Sequence, residues 1–424
     1  MGEPGLELGV EPERLTDAEQ AFRLKREADP MASLRSQKSD SVAAVRAALA
    51  GATSCSYTYG STHHFYHYPA RFAPPIAREV IACFSEPGDW VLDPFMGGGT
   101  TIIEGLALGR RLIGVDLNAL GHFVTDVRTR PITQQDERAL RIWARLVSDS
   151  VASADTSWIT QETVRNLPAP VATFMSGALM LADGLPRRQH DFARCALLRL
   201  GQWALDCRDF APRRKQLARK LPALLDEMIA GLASFSANCR LTGLKSEDVV
   251  SNRILLHRNA VGLENETVFR IDGVSPKLVF TSPPYPGVNV LYHRWQYRGR
   301  KETPAPYWIA NVPDGFGSSY YTGGSRTPTG LKAYFGMITA AFQSVTRVLA
   351  RDGMVVQLVG FSEAAAQLPL YLEAMEKAGL EECHVEGGRL GRRVPNRKWY
   401  ARLKGAVDAS MEVLLIHRPK VTRS

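Results

Sequence analysis

Hydrophobic positions along the chain follow two periods. Short apolar runs of strand type stand at Asp89-Trp-Val-Leu-Asp, Arg111-Leu-Ile-Gly-Val-Asp, Lys277-Leu-Val-Phe-Thr, Gly353-Met-Val-Val-Gln-Leu-Val-Gly and Met411-Glu-Val-Leu-Leu-Ile-His. They read as buried strands. The first closes on a glycine-rich turn, a helical segment follows at Thr100-Thr-Ile-Ile-Glu-Gly-Leu-Ala-Leu-Gly, and the second strand comes next. Strand, glycine turn, helix, strand is a βαβ unit, which predicts a parallel sheet and an α/β fold. Tyr371-Leu-Glu-Ala-Met-Glu-Lys-Ala-Gly-Leu predicts an amphipathic helix ending at a glycine cap.

Residues 131–250 carry the helical period instead. Ala193, Ala196, Leu197, Leu200, Ala204 and Cys207 share one face, as do Leu224, Leu225, Met228, Leu232 and Phe235 after Pro222, which the pattern places at a helix start. The expected organisation is an N-terminal arm over 1–45, a first catalytic part over 46–130, a helical insertion over 131–250 and a second catalytic part over 251–424.

The composition narrows the class. Of 424 residues, 45% are hydrophobic, enough for a sizeable core, yet no run is long and uncharged enough for a transmembrane helix. The first residues are acidic with no apolar signal core, and the six cysteines form no C-x-x-C pair. A cytoplasmic protein without a disulfide framework, structural zinc or other bound metal is expected. Net charge is +9, and it is concentrated: residues 187–220 hold ten Arg/Lys against three Asp, and residues 387–404 hold seven Arg/Lys and no acid. Such patches suit a polyanionic partner and equally a solvated face.

Three segments carry chemistry. Asp93-Pro-Phe-Met-Gly-Gly-Gly-Thr-Thr follows the first strand. Its glycines let backbone approach a ligand closely, and the helix it opens presents free N–H groups. Asp93 could bind an amine, and Asp116, ending the next strand, suits a ribose diol. Together they fit an adenosyl ligand with an amino-acid tail, although a purely structural glycine turn has the same composition. Thr281-Ser-Pro-Pro-Tyr-Pro follows a later strand. Its prolines remove two N–H donors and leave carbonyl acceptors beside a hydroxyl and a ring, as an exocyclic amine requires; a plain polyproline turn is the other reading. From Tyr285 to Tyr321, nine aromatics are interleaved with Arg294, Arg298, Arg300 and Lys301, which suits base stacking with phosphate contact or an aromatic core layer.

With these segments in this order, the chain resembles the amino-group DNA methyltransferases that use S-adenosylmethionine. The glycine loop looks like their cofactor motif, Ser282-Pro-Pro-Tyr like their catalytic tetrapeptide, and His67-Tyr-Pro-Ala-Arg-Phe-Ala-Pro-Pro-Ile like the cofactor motif that comes first in permuted members. The resemblance implies a Rossmann-like S-adenosylmethionine-dependent methyltransferase fold with a helical insertion, and a role in DNA methylation of the restriction-modification kind. It implies a cofactor site of Phe72, Asp93, Pro94, Phe95, Gly97, Gly98, Gly99, Thr100, Thr101, Asp116 and Asn259. Asn259 stands where the family has an acidic contact to the adenine; Asp272 is the nearest carboxylate. Ser282, Pro283, Pro284 and Tyr285 would be catalytic. Arg213, Arg214, Lys215, Arg294, Trp295, Arg392, Arg393, Arg397 and Lys398 would face the nucleic acid. The Ser form of the tetrapeptide points to cytosine N4, with adenine N6, an RNA base methyltransferase and a non-enzymatic binder as alternatives; DNA rather than RNA is the expected partner, with no membrane.

Overall fold

In a computed structural model of the chain, residues 39–51, 60–67, 73–152, 155–160, 164–206, 208–286, 289–290, 295–298, 301–314, 321–322, 327–385, 388–394 and 410–420 are described. Phe72, Arg294, Arg397, Lys398 and nearly all of the 1–45 arm lie outside them.

The strands in chain order are β1 (Trp90–Asp93), β2 (Arg111–Asp116), β3 (Arg253–His257), β4 (Leu278–Thr281), the paired short pieces β5 (Asn289–Val290), β6 (Trp295–Tyr297), β7 (Lys301–Thr303) and β8 (Tyr321–Thr322), and then β9 (Met354–Phe361), β10 (Leu380–Cys383), β11 (Leu390–Val394) and β12 (Ser410–Pro419). The five apolar runs form β1, β2, β4, β9 and β12, while β3, β10 and β11 are strands that the sequence pattern does not predict. The main sheet runs β10-β12-β9-β4-β1-β2-β3, with β11 also paired to β12. Pairs from β9 through β3 are parallel, and β12 is antiparallel to β9, β10 and β11. Both faces are covered, which explains the continuous apolar runs. Val91, Leu112, Phe280, Val356 and Leu414 pack into one core. Their neighbours Leu92, Ile113, Val279, Val355 and Val413 pack into the other. This is a doubly wound, Rossmann-like α/β fold.

Helices α1 (Ser39–Gly51), α2 (Pro74–Phe84), α3 (Thr100–Ala107), α4 (Ala119–Arg128), α5 (Gln134–Val151), α6 (Ala169–Ala182), α7 (Arg187–Leu205) and α8 (Arg214–Leu241) precede β3; α9 (Thr267–Arg270), α10 (Ala305–Ala310), α11 (Pro328–Val348) and α12 (Ala364–Lys377) follow. The four long helices α5–α8 stand between β2 and β3, where the helical period was read. Their apolar faces, including Trp143, Phe174, Phe192 and Phe235, belong to the same core as Val91 and Leu112, so the insertion extends the sheet's own core.

Pro222 does not start a helix. It lies inside the 28-residue α8. A proline there removes the N–H that would bond the carbonyl four residues back. That carbonyl, of Ala218, instead accepts from the Ser148 hydroxyl of α5 at 2.9 Å. A neighbouring helix supplies what the local pattern lacks, so the helix continues.

Candidate active site

Strand order reverses between β1 and β4, and ligands of doubly wound sheets sit in the crevice beyond the carboxyl ends at such a point. Asp93 ends β1, Asp116 ends β2 and Thr281 ends β4. The exposed Asn259 follows β3 on the same side. Asp272 lies before β4, hence on the amino-terminal side of the sheet and away from this crevice.

Asp93 is 1% exposed, and its carboxylate turns inward. One oxygen accepts from Thr281 Oγ1 at 2.6 Å and from the Phe95 N–H at 3.1 Å; the other accepts from Thr101 Oγ1 at 2.6 Å. Burial pushes its pKa up to about 6, against the pull of these three donors. The expectation that Asp93 binds an amine directly is corrected: its oxygens are spent on joining β1, α3 and β4. Thr101, with no exposure and its hydroxyl on Asp93, braces the joint and does not contact a ligand with that group. Pro94, Gly98, Gly99 and Thr100 are likewise buried, while Phe95, Gly97 and Asp116 keep partial exposure.

The glycine loop is held from two sides. The Gly97 N–H donates to Asp116 at 2.8 Å, and the other Asp116 oxygen accepts from the Asn118 N–H at 2.7 Å. Burial raises the Asp116 pKa. The Gly98 carbonyl accepts from the guanidinium of Arg128, fully buried on α4, which also donates to the Thr62 carbonyl at 2.9 Å. Asn118 donates to the Tyr307 hydroxyl at 2.9 Å, so the aromatic-rich stretch supplies a core contact here. Gly97 and Gly99 both take positive φ, +50° and +77°. A Cβ on Gly99 would stand 2.5 Å from the Thr125 side chain, whereas one on Gly97 would meet open space. Of these two, Gly97 is the one with room for close approach. Leu117, 44% exposed beside Asp116, offers an apolar surface there. Arg128 and Thr125 gave no sequence signal, because they reach the loop from the next helix.

Ser282, Pro284 and Tyr285 are half-buried and Pro283 is buried. The buried Tyr334 of α11 donates to the Pro284 carbonyl at 2.7 Å. The Tyr285 hydroxyl donates to Glu412 at 3.0 Å and lies 3.3 Å from Ser282 Oγ. Glu412, 3% exposed at the start of β12, is gripped by Arg392 at 2.7 and 2.8 Å. Neither Tyr334 nor Glu412 was expected: each comes from an element remote in sequence, and a carboxylate inside an apolar strand carries no motif.

Two of the expected nucleic-acid contacts are corrected. Trp295 is 1% exposed, its indole N–H points to the Tyr66 hydroxyl at 3.2 Å, and its ring fills the space beside Gly201 of α7. A ring in that position packs the core and stacks on no base. Arg392 is committed to Glu412 and is no phosphate contact. Arg213 and Lys215 at the start of α8 are exposed, Arg214 is half-buried and Arg393 is exposed. Phe210, 82% exposed, stands beside them in the loop before α8. Of the clustered histidines, His63 bonds buried Glu104 at 2.6 Å and His64 the Glu227 carbonyl at 3.0 Å. Two cavities of about 530 and 510 Å³ lie where α7 meets the 305–313 segment, and neither is lined by Ser282 or Gly97.

The part of the chain that builds this loop matches a known family. Residues 24–120, which contain the glycine loop and Asp116, match the DNA methylase family of N6/N4 methyltransferases. The chain is 38% identical over 74 residues to the type II methyltransferase M.MvaI of Kocuria varians, covering 17% of this chain and 16% of that protein. It is 36% identical over 76 residues to the type II methyltransferase M.MthZI of Methanothermobacter thermautotrophicus, covering 18% and 21%. It is 38% identical over 53 residues to the DNA adenine methyltransferase YhdJ of Escherichia coli K12, covering 12% and 18%. Each match thus spans about a fifth or less of the relative's length. Over residues 24–120 the chain is thus similar to the amino-group DNA methyltransferases.

Proposed function

We propose that this protein transfers a methyl group from S-adenosylmethionine to an exocyclic amine of a DNA base flipped into the crevice, cytosine N4 by preference. The observation that carries the reading is the joint at Asp93, which sets the glycine loop and the Ser282–Tyr285 loop side by side at the switch point of the sheet. A cofactor fits the residues on one side of that joint. The open space at Gly97 admits close backbone approach, Asp116 suits a ribose, and Leu117 suits the flat face of a purine. Asn259 and Phe72 complete the cofactor side by resemblance.

When bound, S-adenosylmethionine supplies an electrophilic methyl on a sulfonium. The amine of a base is a poor nucleophile because its lone pair is delocalised into the ring. Ser282 Oγ and the Pro283 carbonyl accept its two N–H groups and favour a tetrahedral nitrogen with a free lone pair. The Pro284 carbonyl is already held by Tyr334 and serves the loop's shape. Tyr285 presents its ring to the base. Adenine N6 is the second reading, supported by the match to a relative named an adenine methyltransferase. Arg213, Lys215 and Arg219, exposed on one end of α8, would take the DNA backbone, with Arg214, Arg393, Arg294, Arg397 and Lys398 as further candidates.

Gly97→Ala is expected to fold, at a cost of about 1–2 kcal/mol for a left-handed alanine, and to weaken S-adenosylmethionine binding in calorimetry. Gly99→Val is expected to lower the melting temperature first, because its side chain strikes Thr125. Unchanged affinity in folded Gly97→Ala would move the cofactor elsewhere.

In single-turnover methylation with saturating DNA, Ser282→Ala should lose about 2.7–4 kcal/mol of barrier lowering, roughly a hundredfold or more in rate. Tyr285→Ala should instead weaken productive base binding by about 1–3 kcal/mol, with cofactor affinity intact. A parent-like rate for Ser282→Ala removes this serine from the chemistry, and transfer to RNA but not to DNA overturns the choice of substrate.

Reversing the charges of Arg213, Lys215 and Arg219 should weaken DNA binding and flatten its dependence on salt, by a slope of about 0.9 for each phosphate no longer neutralised. Equal affinity and equal slope would make that end of α8 a solvated face.

A further inference from the structure

The Ser282–Tyr285–Glu412–Arg392 chain has a direction. Arg392 and Glu412 are paired across the register of β11 and β12, and the Glu412 side chain is 4% exposed and that of Arg392 10%. A carboxylate gripped by a guanidinium at 2.7 and 2.8 Å only accepts. The Tyr285 hydroxyl, 3.0 Å from the other Glu412 oxygen, therefore spends its single proton there. The tyrosine oxygen is then an acceptor toward Ser282 Oγ at 3.3 Å, and the serine must donate. With its own proton committed to Tyr285, Ser282 turns only lone pairs toward the crevice. A serine without such a partner presents either a proton or a lone pair, because its hydroxyl rotates freely.

We infer that Glu412 is a positioning residue that fixes the polarity of Ser282, through Tyr285, so that the serine is an acceptor toward the N–H of the incoming base. This rests on the amine-methylation reading and adds to it a control seated on β12, which reaches the crevice because that strand runs antiparallel to β9 and starts at the carboxyl edge of its neighbour. Glu412 also keeps the Tyr285 hydroxyl at one point, so the ring that meets the base has a fixed pivot.

The test is a double-mutant cycle in single-turnover methylation, using Tyr285→Phe, which keeps the ring and the ion pair, and Glu412→Gln, which keeps the shape and loses the charge. Each single variant should slow methyl transfer by about tenfold or more while DNA and cofactor affinities stay near the parent's. The double variant should be no slower than the slower single, since both break the same chain of bonds. Parent-like transfer by Tyr285→Phe overturns the inference, as does a double variant whose loss is the product of the two single losses. Should Glu412→Gln fail to fold because Arg392 is left unpaired, Tyr285→Phe decides alone by the same criterion. If the parent protein transfers no methyl group, the function itself falls and the inference with it; if the parent is active and the cycle is additive, only the inference falls.

Discussion

One buried carboxylate holds the active edge of this protein together. Asp93 ends β1, and three donors converge on it: Thr101 from the helix after the glycine loop, the Phe95 N–H from the loop itself, and Thr281 from the end of β4. All three donate to it, and such bonds favour the ionised form. Burial opposes that form and raises the pKa to about 6, and above this value the carboxylate is charged and the three bonds are at full strength. The spacing between glycine loop and Ser282 is thereby set inside the protein rather than by whatever binds in the crevice.

The rest of the site elaborates that joint. The loop after β4 is fixed at successive residues by different partners: Thr281 by Asp93, Pro284 by Tyr334 of α11, and Tyr285 by Glu412 of β12. The glycine loop is fixed by Asp116 on one flank and by Arg128 on the other. A loop rich in glycine or proline contributes few stabilising contacts of its own, so its conformation is set by neighbouring elements. Preorganised acceptors act most effectively when nothing has to move at the moment of reaction.

Much of this was legible in the chain. Strands covered on both faces show as unbroken apolar runs, and the βαβ unit around Gly97 depends only on local composition, so the central strands and the crevice beyond them could be placed from residues alone, while β3, β10 and β11 fall outside those runs. What escaped depends on register and tertiary packing. Arg392 looked like a phosphate contact in a basic stretch, but strand pairing sets it opposite Glu412, a partner chosen across the sheet. Trp295 stood among arginines and aromatics, yet Gly201 leaves a gap on α7 that its ring fills. Pro222 looked like a helix start until Ser148 of α5 took over the stranded carbonyl. In each case a side chain on another element decided what the local pattern left open.

The central claim is that the crevice presents acceptors to an exocyclic amine of a base. Nucleoside mass spectrometry of duplex DNA, after incubation with the purified protein and isotope-labelled S-adenosylmethionine, addresses it most directly. The account predicts label in N4-methylcytosine, with N6-methyladenine as the outcome that keeps the mechanism and changes the base. Label in 5-methylcytosine, or none in DNA, would contradict it.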